Sequence, residues 1–244
     1  MAERLGRIIR LFVDAELRPR ASLELPEAAA HHAARVLRLR QGETVVLFDG
    51  RGGEYEARLA MPDRSRVLAE TGERRDVERE SPLAVTLVQA VSTGEKMDFT
   101  IQKAVELGVA AIHPVFSEKS VVRLSGEREA KKLAHWRRIA IAACEQCGRN
   151  RIPQVLEPVA LDRYRAPADV AKVLLSPAGA GRLADSAKSP LVLAVGPEAG
   201  FSTDEERLLQ RAGFIAARLG PRILRTETAA LAALAALNAL AGDF

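Results

Sequence analysis

Two arginines, Arg222 and Arg225, stand in an otherwise apolar stretch near the end of this 244-residue chain, Leu219-Gly-Pro-Arg-Ile-Leu-Arg-Thr-Glu-Thr228. A guanidinium presents five N–H donors in a planar fork, so Arg225 suits a carboxylate, a phosphate or a base edge. Ile223 and Leu224, between the two cations, would line an apolar slot for a flat ring. A second stretch of this kind lies upstream, Gly196-Pro-Glu-Ala-Gly-Phe-Ser202, with Glu198 as its carboxylate. Glu198 could accept a proton or brace its loop, and Arg225 could instead pair with Glu198 or Glu227. Neither stretch is a common nucleotide loop. The G-x-G-x-x-G spacing is missing, and no Gly-Lys-Ser/Thr follows.

The elements around these stretches say how they are held. Each follows an aliphatic run, Leu191 to Val195 and Phe214 to Leu219. Gly-Pro straight after a strand turns the backbone sharply out of a sheet edge, where open α/β folds place their ligands. Two such exits, one helix and one strand apart, predict one shared pocket. Ser202 and Glu205 have capping-box spacing, so a helix should start there with free N–H groups aimed at the loop. Thr226 and Thr228 are candidate caps for the last helix, which runs from about Thr228 to Ala241. That helix is nearly all Ala and Leu, with Leu231, Leu234, Leu237 and Leu240 at every third position. Apolar on every side, it must be covered on every side, by its own core or on one face by a second subunit.

From Leu83 onward strands and helices alternate. Leu83 to Val91, Ala110 to Phe116 and Val170 to Leu175 read as strands, and Met97 to Leu107 as a helix that Gly108 ends. Glu127 to Cys147 is a long helix with one buried stripe, Leu133, Trp136, Ala140, Ala143 and Cys147. This rhythm predicts an α/β fold with a mostly parallel sheet. The first part differs. Arg7 to Val13 is strand-like, and Pro26 to Leu39 reads as a short helix. Thr44 to Phe48 and Glu54 to Leu59 flank a glycine-rich hairpin turn, and Val67 to Glu70 adds a short strand. Tight turns in so small a segment suggest a small barrel. The charged stretch Thr71 to Glu80 looks like a linker, which divides the chain into domains 1–72 and 73–244.

A hydrophobic content of 48% allows a real core, and no run approaches the roughly 18 apolar residues of a membrane span. Two cysteines and no extracellular pattern point to a reducing cytosol. Net charge is +4 with a pI near 9.3, which permits an anionic partner. Basic residues cluster around the long helix: Lys119, Arg123, Arg128, Lys131, Lys132, Arg137, Arg138, Arg149 and Arg151. This is either a solvated face or a phosphate-binding surface. His31 and His32 with Arg35, Arg38 and Arg40 would extend such a surface, or simply decorate a helix. Aromatic content of 4% leaves few stacking platforms for single strands. Cys144 and Cys147 find no set of partners with zinc-ligand spacing, so no metal is expected.

Several blocks share one wider pattern: His32 with Val36-Leu-Arg-Leu39 and Gly42, Lys96-Met-Asp98 with Gln102 to Gly108, Glu118 to Val122, Trp136 to Ile139 with Glu145, Gln146 and Arg149, and the two closing loops. In this order they resemble the RsmE family, uracil-N3 methyltransferases of small-subunit (16S) ribosomal RNA within the SPOUT superfamily. The resemblance implies a PUA-like RNA-binding β-barrel followed by a SPOUT-type α/β domain tied in a trefoil knot. It also implies a homodimer, S-adenosylmethionine as cofactor and the 16S RNA of the small subunit as partner. By this likeness the cofactor would lie against Leu175, Gly196, Pro197, Glu198, Gly200, Leu219, Gly220, Ile223, Leu224, Arg225, Thr226, Thr228 and Ala229. RNA would meet His32, Arg35, Arg38, Lys96, Lys119, Arg123 and Arg149. Arg225, or Arg149 from the second subunit, would stabilise the uracil anion, with Glu198 as proton acceptor. One departure stands out, since Ala199 takes a place usually held by glycine. If that place requires positive φ, alanine costs about 1 kcal/mol.

Overall fold

The structure, a computed structural model, describes residues 9–61, 66–122 and 124–244. Arg7 and Ile8, the expected start of the first strand, and Arg123 lie outside the described residues. The chain divides into two compact units, one running to Glu80 and including Cys144–Ile152, the other Ser81–Ala143 with Pro153–Phe244. The segment 144–152 thus joins the N-terminal unit, a membership that sequence order conceals.

The first unit contains β1 (Arg10–Phe12), β2 (Ser22–Glu24), α1 (Glu27–His31), β3 (Thr44–Phe48), β4 (Glu54–Ala60) and β5 (Leu68–Arg75). They form a five-stranded sheet in the order β1-β3-β4-β5-β2, antiparallel except for the β1–β3 pair. The β3–β4 turn follows the expected hairpin, with Gly50, Gly52 and Gly53 all at positive φ. Two expectations need correction. Thr71 to Arg75 is not linker but the second half of β5, because its charged side chains alternate onto the solvent face while Thr71 stays buried. The expected helix over Pro26 to Leu39 is a short α1 followed by a π-helical turn, His32–Val36. Arg38 then adopts a left-handed conformation (φ 55) that ends the helix and turns Leu39 into the core.

Beside the apolar core of this unit lies a buried polar hub. Glu54, 2% exposed, accepts hydrogen bonds from Arg10 (2.6 Å), Arg79 (3.3 Å) and Asn150 (3.3 Å). Burial acts to raise its pKa, but the bonds from Arg10, Asn150 and Arg79 outweigh that, and the net shift is downward. Arg149, also buried, binds Glu80 through Nε (3.0 Å) and Nη2.

The second unit contains β6 (Val85–Ala90), α2 (Gly94–Glu106), β7 (Ala111–Phe116), α3 (Glu127–Cys147, whose last turn counts with the first unit), β8 (Gln154–Val155), β9 (Val159–Ala160), β10 (Ala171–Leu175), β11 (Gly181–Arg182), β12 (Leu191–Val195), α4 (Thr203–Arg211), β13 (Ile215–Arg218) and α5 (Thr226–Ala241). The strands are all parallel, in the order β11-β13-β10-β12-β6-β7-β8, with β9 also on β7. Strands β6 and β12 are continuous aliphatic runs because both faces of a parallel sheet are covered. On one face Val88, Val192 and Leu174 pack with Leu209 of α4, and on the other α5 packs against β6, β12 and α2. The stripe of α3 is buried at Leu133, Trp136, Ala140 and Ala143, and Cys144 rather than Cys147 ends it.

The last helix departs from its expected all-round burial. Ala230, Ala233, Leu234 and Leu237 are covered, whereas Leu240 is 55% exposed and Ala239 is exposed as well. No described helix is long and apolar enough to cross a membrane.

The Glu54 hub gives a stability test. Replacing one partner of a buried ion pair strands the other, so E54Q should lose about 3–5 kcal/mol in urea unfolding. Because the folded-state pKa of Glu54 is lowered, its contribution is present above pH 4.5 and lost as pH falls through the folded value. E54Q should therefore flatten the acid limb of stability against pH.

Candidate active site

Strands β13, β10 and β12 are neighbours in the sheet, so their carboxyl ends bring three loops together. These loops enclose a cleft of ≈ 430 Å³, within the roughly 300–1,000 Å³ usual for small-molecule sites. This is the edge position favoured for ligands in open α/β folds. Leu175, Gly196, Pro197, Glu198, Gly200, Leu219, Gly220, Ile223, Leu224, Thr226 and Ala229 all line it. Arg225 and Thr228, expected beside them, are outside the lining. Ser176, Pro177 and Ala178 line it too, and the sequence reading passed over them. Their signal was the same as elsewhere: an aliphatic run, Lys172 to Leu175, followed at once by Ser-Pro-Ala-Gly179.

The first loop is set by its glycines. A Cβ at Gly196 would lie 2.8 Å from the Phe201 backbone nitrogen, so only glycine lets the two backbones approach. Gly200 has φ 69 and donates its N–H to Pro197 O at 2.8 Å, closing a tight turn. Ala199 does not share that requirement, because it is not among the described residues with positive φ. The alanine is therefore accommodated without backbone strain. Ser202 and Glu205 form the expected capping box at the start of α4. Glu205 also accepts from Ser117 Oγ (3.0 Å) and the Glu118 N–H (2.7 Å), latching the end of β7 to the loop.

Two lysines expected to meet RNA hold this loop instead. Lys96 Nζ donates to Glu198 Oε1 at 3.0 Å, and Lys119 Nζ donates to Phe201 O at 3.3 Å. Thr93 adds bonds to Glu198 from its N–H (3.4 Å) and hydroxyl (3.3 Å). Partial burial would raise the Glu198 pKa, but its own backbone N–H, Lys96 and Thr93 reverse that and lower it. A carboxylate so held is a weak base, and its geometry is that of a brace.

The second loop is joined to the first through Thr226. Its hydroxyl donates to Gly196 O at 2.6 Å and accepts from the fully buried Gln89 Nε2 at 3.0 Å. The expected helix-capping roles of Thr226 and Thr228 are corrected by this arrangement: Arg225 occupies the N-cap position, and no side chain caps α5. The side chain of Arg225 is exposed and makes no hydrogen bond or ion pair among the described residues, so it pairs with neither Glu198 nor Glu227. Ile223 beside it is 85% exposed.

The basic cluster around α3 is largely committed to internal partners. Lys131 pairs with Glu127 (2.7 Å), Lys132 with Asp98 (3.0 Å) and Arg151 with Glu78 (2.9 Å). Arg137 donates to Val155 O (3.1 Å). Arg149 is 3% exposed and engaged by Glu80, a geometry that serves the fold and corrects the reading that it reaches RNA or the reacting base. In the first unit His32 is half-buried, and Arg35 and Arg38 are exposed.

The comparisons with known proteins agree with this geometry. The family of RNA methyltransferase domains matches residues 79–238, and the RNA methyltransferase PUA domain family matches residues 25–71. The ribosomal RNA small subunit methyltransferase E of Buchnera aphidicola (strain APS) is 32% identical over 243 residues, covering 98% of this chain and 96% of that protein. The protein of the same name from Mycobacterium tuberculosis is 36% identical over 218 residues, covering 86% and 83%. Among solved structures, the ribosomal RNA small subunit methyltransferase E of Neisseria gonorrhoeae, bound to S-adenosyl methionine, is 44% identical with a TM-score of 0.93, covering 98% of this chain and all of that one. A putative methyltransferase of Legionella pneumophila with the bound cofactor SAM gives 42% identity, a TM-score of 0.93 and the same coverage. With an α/β methyltransferase unit and a PUA domain, this chain belongs to the ribosomal RNA small subunit methyltransferase E family.

Proposed function

We propose that this protein transfers a methyl group from S-adenosylmethionine to N3 of a uridine in 16S RNA of the small ribosomal subunit, acting in the cytosol as a homodimer. The observation that carries the reading is the cleft formed where three adjacent parallel strands end. Its walls are backbone groups of three loops and the aliphatic side chains of Leu175, Ile223, Leu224 and Ala229. Such walls suit an adenosyl group: apolar side chains flank a flat ring, while loop N–H and C=O groups meet its edge. The Neisseria and Legionella structures, each with this cofactor, support the same assignment.

When bound, the cofactor supplies an electrophilic methyl group. The rest falls to the chain. Loops after β12 and β13 hold donor and acceptor in line, which removes most of the entropic barrier to displacement. A uracil N3 edge is hidden in a duplex, so the target base has to be unpaired or flipped out. Arg225, exposed at the start of α5 and without a protein partner, stabilises the negative charge that grows on the uracil oxygens. Glu198 is assigned to bracing the loop through Lys96 and not to proton transfer.

Two finer features belong to the same reading. We assign the second unit a SPOUT-type trefoil knot, supported by a path from β12 past β10 to β13, after which α5 returns to Gly196 through Thr226. We assign the small sheet of the first unit to a PUA-like barrel, supported by the match over residues 25–71. The dimer is supported by the uncovered face of α5, where Leu240 is 55% exposed on an otherwise apolar helix.

Incorporation of labelled methyl into isolated 30S subunits, compared with free 16S RNA, tests the reaction. R225A should cut turnover roughly 10²–10³-fold while S-adenosylmethionine affinity, read by calorimetry, stays within a few-fold. Wild-type turnover in that variant would sink the role of Arg225. In the first loop A199G should leave cofactor affinity unchanged. G200A forces a side chain into a left-handed position and should cost about 1 kcal/mol, a loss of roughly 5-fold in affinity. L240D should convert a species of twice the 26.4 kDa chain mass into a monomer by sedimentation. A wild-type protein that sediments as a monomer would defeat the dimer.

A further inference from the structure

The first unit holds a second cavity, of ≈ 610 Å³, beside α1 and the π-helical turn that follows it. Its apolar wall is Ala28, Ala30, Ala34 and Val67, and its polar groups are Glu27, His31, His32 and Arg35. The turn is wide because the Leu37 N–H reaches back to His32 O (2.9 Å), a five-residue step. Single π turns of this kind recur at functional sites. The turn ends at Arg38, a non-glycine residue at φ 55, and it leaves Val36 57% and Leu37 37% exposed. A strained residue beside exposed aliphatics marks a surface shaped for contact.

The charge of this surface selects its ligand. Arg35, Arg38 and Arg40 are exposed, and with His31 and His32 they make no side-chain hydrogen bond or ion pair among the described residues. His32 does lie within electrostatic reach of Glu145. The aromatic rings of this unit are turned inward: Phe48 and Tyr55 are buried, and Phe12 packs on Phe48 at 5.8 Å. The planar groups left at the cavity are imidazole and guanidinium, on which unstacked RNA bases can lie. The cavity is far larger than a phosphate needs. Glu27 at its edge supplies the acceptor that a ring N–H or an exocyclic amine requires.

We propose that this cavity is a subsite for one unstacked base of single-stranded RNA, with the flanking phosphates on Arg35 and Arg38. The proposal rests on the RNA-methylating reading above and adds to it where a second nucleotide is held. The test uses the full-length chain with a single-stranded RNA of roughly 12 nucleotides carrying one central 4-thiouridine. Ultraviolet irradiation and peptide mapping should place crosslinks within residues 27–38. Crosslinks found only elsewhere would overturn the proposal. A34L fills the cavity without removing a charge, and should weaken binding of the single strand about tenfold while a duplex of the same sequence binds as before. Unchanged single-strand binding, or an equal loss for both RNAs, would reduce the region to a phosphate surface and overturn the base pocket. Should A34L not fold, R35A decides through salt dependence: the slope of log affinity against log salt should fall by about 0.7, and an unchanged slope counts against the site. Calorimetry with S-adenosylmethionine on the same samples separates the two readings. A chain that does not bind the cofactor defeats the enzymatic reading and leaves the crosslink map to judge the subsite.

Discussion

The second unit is organised around one hydroxyl. Thr226 Oγ1 donates to Gly196 O and accepts from Gln89 Nε2, so a single side chain joins the first residue after β12, the first turn of α5 and the interior of β6. In a buried setting these bonds are not open to exchange with water, and leaving any of the three groups unpaired would cost on the order of 1–3 kcal/mol. That penalty fixes the spacing of the two loops that wall the cleft. Ser81 and Asn238 repeat the device at the other end of α5, with Ser81 Oγ donating to Asn238 Oδ1 (2.6 Å) and Asn238 Nδ2 donating to Leu107 O (2.7 Å). An alanine-rich helix, with few side chains to interlock, is thereby pinned at both ends by polar bonds.

Charge is used in two ways in this protein. A mild cationic excess, read from composition, invites an RNA-binding interpretation for every lysine and arginine. The structure separates them. Lys96, Lys119, Arg149 and Arg151 each have an internal partner, and three of those partners are carboxylates. Arg225, Arg35 and Arg38 have none among the described residues. A guanidinium already forked onto a carboxylate has little left to offer a phosphate, whereas an unpaired one at the surface pays no such exchange. The division between scaffold and ligand-facing cations follows from that difference.

Much of the candidate site was legible because strand ends and glycines act locally. Gly-Pro after Val195 and after Leu219 marked two of the three cleft loops, and the capping box at Ser202 and Glu205 needed only its spacing. The third loop, after Leu175, carried the same signal, but nothing local says that β10 lies between β12 and β13. The short helix near Pro26 was legible, yet its π turn was not, since that depends on drawing Leu39 into the core. The linker reading of Thr71 to Glu80 failed for a related reason: a strand whose charges all face water looks like a charged coil until its partners are known.

What the sequence determined by itself was therefore the set of elements, the loops at their ends and the family to which their order belongs. Periodicity and backbone conformational limits are properties of neighbouring residues and survive without a fold. What the tertiary structure decided was partnership. It turned Glu198 toward Lys96 and away from Arg225, took Thr226 out of helix capping to join two loops, buried Arg149 against Glu80 and freed Ala199 from any need for positive φ. Each of these outcomes depends on which groups meet across long separations in the chain. Burial then makes an unpaired polar atom costly, so it is the meeting, not the residue type, that sets the role.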